Sequence, residues 1–98
     1  MATLATKTIS TAVTDNFTDA ATLEGYFNLS ISGTFTGTVT VQRTYDGTNW
    51  HDVDDFNAPT EEVGFDPEYR QYRVGVKAGG LSSGSVTVRL GTEDREIH

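Results

Sequence analysis

The sequence predicts an all-β fold: a two-layer antiparallel β-sandwich of about seven strands, immunoglobulin-like or fibronectin-like. Three observations predict it. Apolar and polar residues alternate with period two through most of the chain, so that each strand has one buried and one wet face. Turn-forming residues interrupt that alternation at short intervals. The length, 98 residues, is one domain's worth of chain, enough for a single modest core. A hydrophobic content of 36%, with Thr, Val, Tyr and Phe prominent, favours thin sheets over helices.

Taken in order, the elements are as follows. The Thr-rich segment from Thr3 to Val13, with Leu4, Thr6 and Ile9, reads as an edge strand or an extended arm. Only Ala20 to Leu23 could form a turn of helix. Phe27, Leu29 and Ile31 then share one strand face, with Asn28, Ser30 and Ser32 on the other, and Gly33 ends the run. Gly33 and Gly37 bracket Thr34-Phe35-Thr36, a tight reversal or short bulged connection. Val39 and Val41 alternate with Thr38, Thr40 and Gln42, and Trp50 to Val53 is a plausible partner for Val39 to Tyr45. Asp46-Gly47 lies between those two, and Asp-Gly is a strong hairpin signal because both residues tolerate positive φ. Glu61 to Phe65 adds a short strand. Tyr72, Val74 and Val76 alternate with Arg73, Gly75 and Lys77, and Val86, Val88 and Leu90 with Ser85, Thr87 and Arg89. Gly79 to Gly84 is a flexible turn between those two strands, and Pro59 and Pro67 sit in loops or at strand edges.

This reading divides the chain into an amino-terminal arm or edge strand (1–24), a sandwich core (25–91) and a mobile acidic tail (92–98). The near-identical runs Gly37-Thr38-Val39-Thr40-Val41 and Gly84-Ser85-Val86-Thr87-Val88 have no third copy. Two strands meeting the same structural demand explain them better than a solenoid or propeller repeat does.

Charge and composition narrow the function. A formal charge of −7 opposes binding to nucleic-acid phosphates and to anionic membranes, and it suits solubility or a basic protein partner. The absence of Cys excludes thiol catalysis, disulfides and thiolate metal sites. No apolar run approaches the ~18 residues that a membrane span requires. The amino end lacks the charged-then-apolar layout of a signal peptide, so synthesis in a cytoplasm without export is expected.

The most distinctive stretch is Thr44-Tyr45-Asp46-Gly47-Thr48-Asn49-Trp50. It looks like a shortened Asp-box, a hairpin in which the Asp carboxylate accepts backbone N–H bonds, Gly takes positive φ, and Trp folds back over the turn. Asp46, Gly47 and Trp50 are therefore expected to be structural. The acidic middle, Asp52 to Glu68, begins a calcium-like pattern at Asp52-Val53-Asp54 and then abandons it, so a solvated acidic face is the better reading. No spacing singles out a carboxylate pair for glycoside hydrolysis. His51 and His98, the only histidines, have no companions that would make a zinc site. No strained nucleophile turn and no phosphate-cradling loop occur. No catalytic residue, metal site or cofactor is expected. Among the aromatics, Phe27 and Tyr72 have aliphatic strand-mates and belong in the core, whereas Tyr45, Trp50 and Tyr69 stay available for stacking on sugars. Glu68 to Val76 has the form of a penultimate immunoglobulin-type strand, in which Tyr72 or Tyr69 ties down a loop through its hydroxyl.

Three segments carry a family resemblance: Phe27 to Gly33; Gly37 to Trp50 with its Gln42-Arg43-Thr44-Tyr45-Asp46-Gly47 centre; and Pro59 to Gly64 followed by Tyr72 to Val76 and Gly84 to Leu90. Together, over about residues 25–91, they resemble small β-sandwich virion proteins of tailed bacteriophages. The resemblance implies a non-enzymatic structural role on the virion: capsid decoration on the major capsid protein, or a place in the head–tail connection or tail. For a decoration protein it further implies symmetric assembly, such as a trimer at a local three-fold. It transfers no catalytic residues. The segment carrying Thr3, Leu4, Thr6, Ile9 and Val13 is then expected to act as a partner-contact arm that adds a strand to a neighbour. A carbohydrate-binding or adhesion module on a virion or cell surface is the alternative, and it requires exposed aromatic rings.

Overall fold

The computed structural model describes residues 2–92. Those residues contain no helix and form nine strands: β1 (Ala2–Ile9), β2 (Asn16–Phe17), β3 (Ala21–Ser32), β4 (Phe35–Gly37), β5 (Val39–Thr44), β6 (Trp50–Phe56), β7 (Thr60–Val76), β8 (Leu81–Gly84) and β9 (Val86–Thr92). Every pairing is antiparallel. The fold is therefore all-β, in two antiparallel sheets. The larger runs β1-β9-β3-β7-β5-β6, with β2 also on β7, and the smaller is the ribbon β4-β8.

The strand count differs from the expected seven because β2, β4 and β8 are added while two expected strands merge into β7. Both segments read as reversals, 34–36 and 79–84, contain short strands that pair with each other. The segment Ala20 to Leu23, the one candidate for helix, is the start of β3, with Ala21 and Leu23 buried. Glu61 to Phe65 is the first part of the 17-residue strand β7. Strand order also departs from an immunoglobulin plan, in which the last strand lies beside the penultimate one. Here β9 lies between β1 and β3.

Alternation sets the core. Leu23, Phe27, Leu29, Ile31, Val39, Val41, Tyr72, Val74, Val76, Val86, Val88 and Leu90 are buried in one cluster with Ala5, Ile9, Ala12 and Ala21. The buried cluster thus includes Ala5, Ile9, Ala12, Ala21 and Leu23, all before residue 25. Residues 2–9 form an edge strand bonded to β9, not a free arm. Ile9 is 1% exposed, and the Thr6 hydroxyl donates to the Val88 carbonyl at 3.1 Å. Thr3 and Leu4 lie in the same strand, Thr6 is exposed on it, and Val13, beyond β1, is 84% exposed. Of the tail, Thr92 ends β9, and residues 93–98 lie outside the described residues.

Strands β3 and β7 pair over nearly their whole length, interrupted by a bulge between Leu23 and Gly25 that places two extra residues on β7. Such a bulge bends the pair and increases its twist. It divides β7 functionally. Its later part lies between β5 on one side and β2 and β3 on the other; its earlier part, Thr60 to Asp66, pairs with β3 alone.

The repeated Gly-x-Val-x-Val runs occupy equivalent places. Each leaves the β4–β8 ribbon through one linking residue and enters the large sheet, as β5 and as β9. The two linking amides make matching bonds: Thr38 N–H to the Gly80 carbonyl at 2.8 Å, and Ser85 N–H to the Thr34 carbonyl at 3.0 Å. The glycine has a reason at both sites. A Cβ on Gly37 would lie 2.3 Å from the Gly80 oxygen, and one on Gly84 would lie 2.2 Å from the Thr34 oxygen.

Candidate functional site

The Asp46 turn is closed by local bonds. The Asp46 carboxylate accepts from the Thr48 and Asn49 amides at 2.8 Å each, from the Thr44 hydroxyl at 3.0 Å and from the Asn49 side chain at 2.8 Å. These donors, the Asn49 amide first, hold its acidity well above that of an ordinary carboxyl. Gly47 takes φ +80°. Trp50 does not fold over the turn as expected. It starts β6 opposite Thr44, and its ring stacks on the Arg73 guanidinium at 4.4 Å. Phe17 stacks on the same guanidinium at 4.5 Å.

Arg73 belongs to a polar lattice over the face of β5 that points away from the core. Thr40, Gln42 and Thr44 lie on that face and are nonetheless buried. Thr40 donates to Asp55 at 2.8 Å and Gln42 to Asp52 at 2.9 Å, while Arg73 donates to the Gln42 carbonyl oxygen at 2.8 Å. Lys77 pairs with Asp52. Two acidic residues read as part of a solvated face are thus committed to cross-strand bonds. Among the described residues no group of three or more His, Asp or Glu side chains is placed to hold a metal ion.

The aromatic candidates divide. Phe27 and Tyr72 are buried, as the alternation requires, with ring centres 4.9 Å apart. Tyr45 is 65% exposed, beside a shallow depression lined by Asp46, Arg70 and Gln71. The Arg70 guanidinium already stacks on its ring at 4.4 Å. Tyr45 and Trp50 therefore each carry a cation on a ring face that a sugar platform would leave free.

A groove of about 270 Å³ lies between two strand edges that are unpaired among the described residues. Among the described residues, β6 on one side pairs with β5 alone, and the first part of β7 on the other pairs with β3 alone. Phe27, Leu29, Val41 and Phe56 supply apolar lining, and Asp54 and Glu62 supply carboxylates. Val53, Val63 and Phe65 line it while being 48%, 64% and 57% exposed. Gly64 makes room for the Phe27 ring, since a Cβ there would lie 2.6 Å from Cζ.

One end of the groove is polar. The Tyr72 hydroxyl donates to the buried Asp66 carboxylate at 2.9 Å, and Arg43 lies 3.9 Å from the same oxygen. Burial, then the bond to Asp66, raises the Tyr72 pKa above that of an ordinary phenol, so it remains a donor at neutral pH. Asp66 also accepts from the Glu68 amide at 3.1 Å, within the β7 bulge. The tyrosine tie expected of Tyr72 is thus made to a carboxylate six residues upstream. The groove itself went unread from sequence. Val53, Val63 and Phe65 each sit in a run of ordinary strand residues, and the one available hint was that acidic residues flank all three.

No family model, curated protein or solved structure matches this chain, so its function is argued from geometry.

Proposed function

We propose that the chain is a non-enzymatic docking module, a structural protein of a tailed-phage virion that decorates the head by binding the major capsid protein. The same reading extends to its build: a two-layer sandwich in the broad immunoglobulin-like manner, with β3 and β7 passing between layers at their bulge. One observation carries the proposal. The exposed apolar residues Val53, Val63 and Phe65 line one groove between two strand edges that are unpaired among the described residues. An apolar patch of this kind on a small domain marks an interaction site. A head–tail or tail position uses the same surface, and assembly into a symmetric trimer on the lattice uses another.

Cosedimentation with expanded capsids tests it. Saturable binding to expanded capsids is the expected result, and no binding to either expanded or unexpanded particles overturns it. The alternative of a carbohydrate-binding module draws on the exposure of Tyr45. It is the weaker reading, because guanidinium groups already occupy the rings of Tyr45 and Trp50. Glycan-array binding lost in Tyr45→Ala would favour it.

A further inference from the structure

We propose that Thr60 to Asp66 of β7, with the groove beside it, takes an extended segment of a partner protein as an added antiparallel or parallel strand, and that this segment carries apolar residues flanked by Lys or Arg. The inference rests on the reading of the chain as a docking module and specifies the partner's chemistry.

Three features point to this occupant. Between Thr60 and Asp66 the backbone bonds to β3 on one side and, among the described residues, faces no strand on the other. An unpaired edge of this length is a template for strand addition, in which main-chain bonds supply affinity and alternate side chains supply specificity. The surface is apolar where an incoming strand would lie. Val63 and Phe65 are exposed on the outer face, where Phe65 stacks with the exposed Tyr26 at 4.8 Å. On the inner face the groove has room for about one or two large aliphatic side chains.

Charge selects the partner. Glu61 and Glu62 lie on the edge strand itself, and Asp54 faces Glu62 across the groove. The whole chain carries −7. A second copy would bring the same carboxylates to the same edge, and like charges brought together at an interface cost several kcal/mol. A basic segment meets the opposite sign. The glutamates thus guard the edge against self-pairing while leaving it open to a cationic strand.

The test uses the full chain with a short synthetic peptide alternating Val and Lys, a second alternating Val and Glu, and a third with the Val-Lys sequence N-methylated at alternate residues. The Val-Lys peptide is expected to bind, with NMR shifts centred on residues 60–66. Affinity is expected to fall about tenfold or more in Asp54→Lys/Glu62→Lys, two exposed positions whose change spares the core, and on N-methylation. No binding at about 1 mM peptide, equal binding of the Glu peptide, indifference to N-methylation, or shifts elsewhere each overturn the proposal. So does sedimentation velocity showing a wild-type dimer that the double variant abolishes, since the occupant is then a second copy. Capsid cosedimentation separates this inference from the reading beneath it. Equal binding of wild type and double variant sinks the groove and leaves decoration standing. Peptide binding without capsid binding sinks decoration and leaves the groove.

Discussion

At the scale of single residues, two polar side chains make opposite demands. Asp46 is exposed and bonded to four donors, and its pKa is lowered, chiefly by the Asn49 and Thr48 amides. A carboxyl with a depressed folded pKa stabilises above its unfolded value, about 3.9, and loses that contribution as pH falls toward the folded one. The thermal stability of the wild type should therefore fall as pH is lowered from about 4 toward 2. Asp46→Asn, which cannot titrate, should be less stable than wild type near neutrality and show a shallower acid limb. Asn28 is the converse case. It is 7% exposed, and among the described residues neither atom of its amide has a hydrogen-bond partner. It lies opposite Val63 on one side and Gly91 on the other. A buried amide without partners costs about 1–3 kcal/mol, so Asn28→Val should raise stability by about that amount in chemical denaturation. A loss instead would show that the amide is satisfied.

At the scale of elements, the β4–β8 ribbon is the device that seats both of the similar strands. It depends on backbones approaching where a side chain has no room. Gly84 has φ +83° as well as a carbonyl 2.2 Å from any Cβ. Gly84→Ala should cost about 1–3 kcal/mol from backbone strain alone, with Gly37→Ala destabilising through contact with Gly80. The check is a pair of denaturation curves beside Gly79→Ala, a site with positive φ but open space, whose smaller cost isolates the effect of crowding. Strand β1 makes a second case. Its position on β9 and the burial of Ile9 tie the amino end into the core. Ile9→Ala should lower stability by about 2–5 kcal/mol, measured by urea unfolding. An unchanged midpoint would restore the free arm.

At the scale of the whole molecule, the buried cluster draws on β1, β3, β5, β7 and β9, and three of the exposed apolar residues, Val53, Val63 and Phe65, line the groove between two edges that no other described strand pairs. The sequence by itself determined the main strands and their dry faces, though not β2, the β4–β8 ribbon or the start of β3, because period-two alternation and Asp-Gly chemistry are local properties of neighbouring residues. Phe27-Leu29-Ile31, Val39-Val41 and Val86-Val88-Leu90 are buried for that reason alone. It also marked Asp46 as the carboxylate of a turn, since its donors lie within three residues. Only the tertiary structure decided which strand lies beside which. An alternating strand fits against many partners, so nothing in the run Val86 to Leu90 says that it enters between β1 and β3. The same degeneracy hid the stacking of Arg73 between Phe17 and Trp50, and the bond from Tyr72 to Asp66 across a bulge. It hid the groove as well, because an edge is defined by the strand that does not come to lie beside it, and that is settled only when every other pairing has been made.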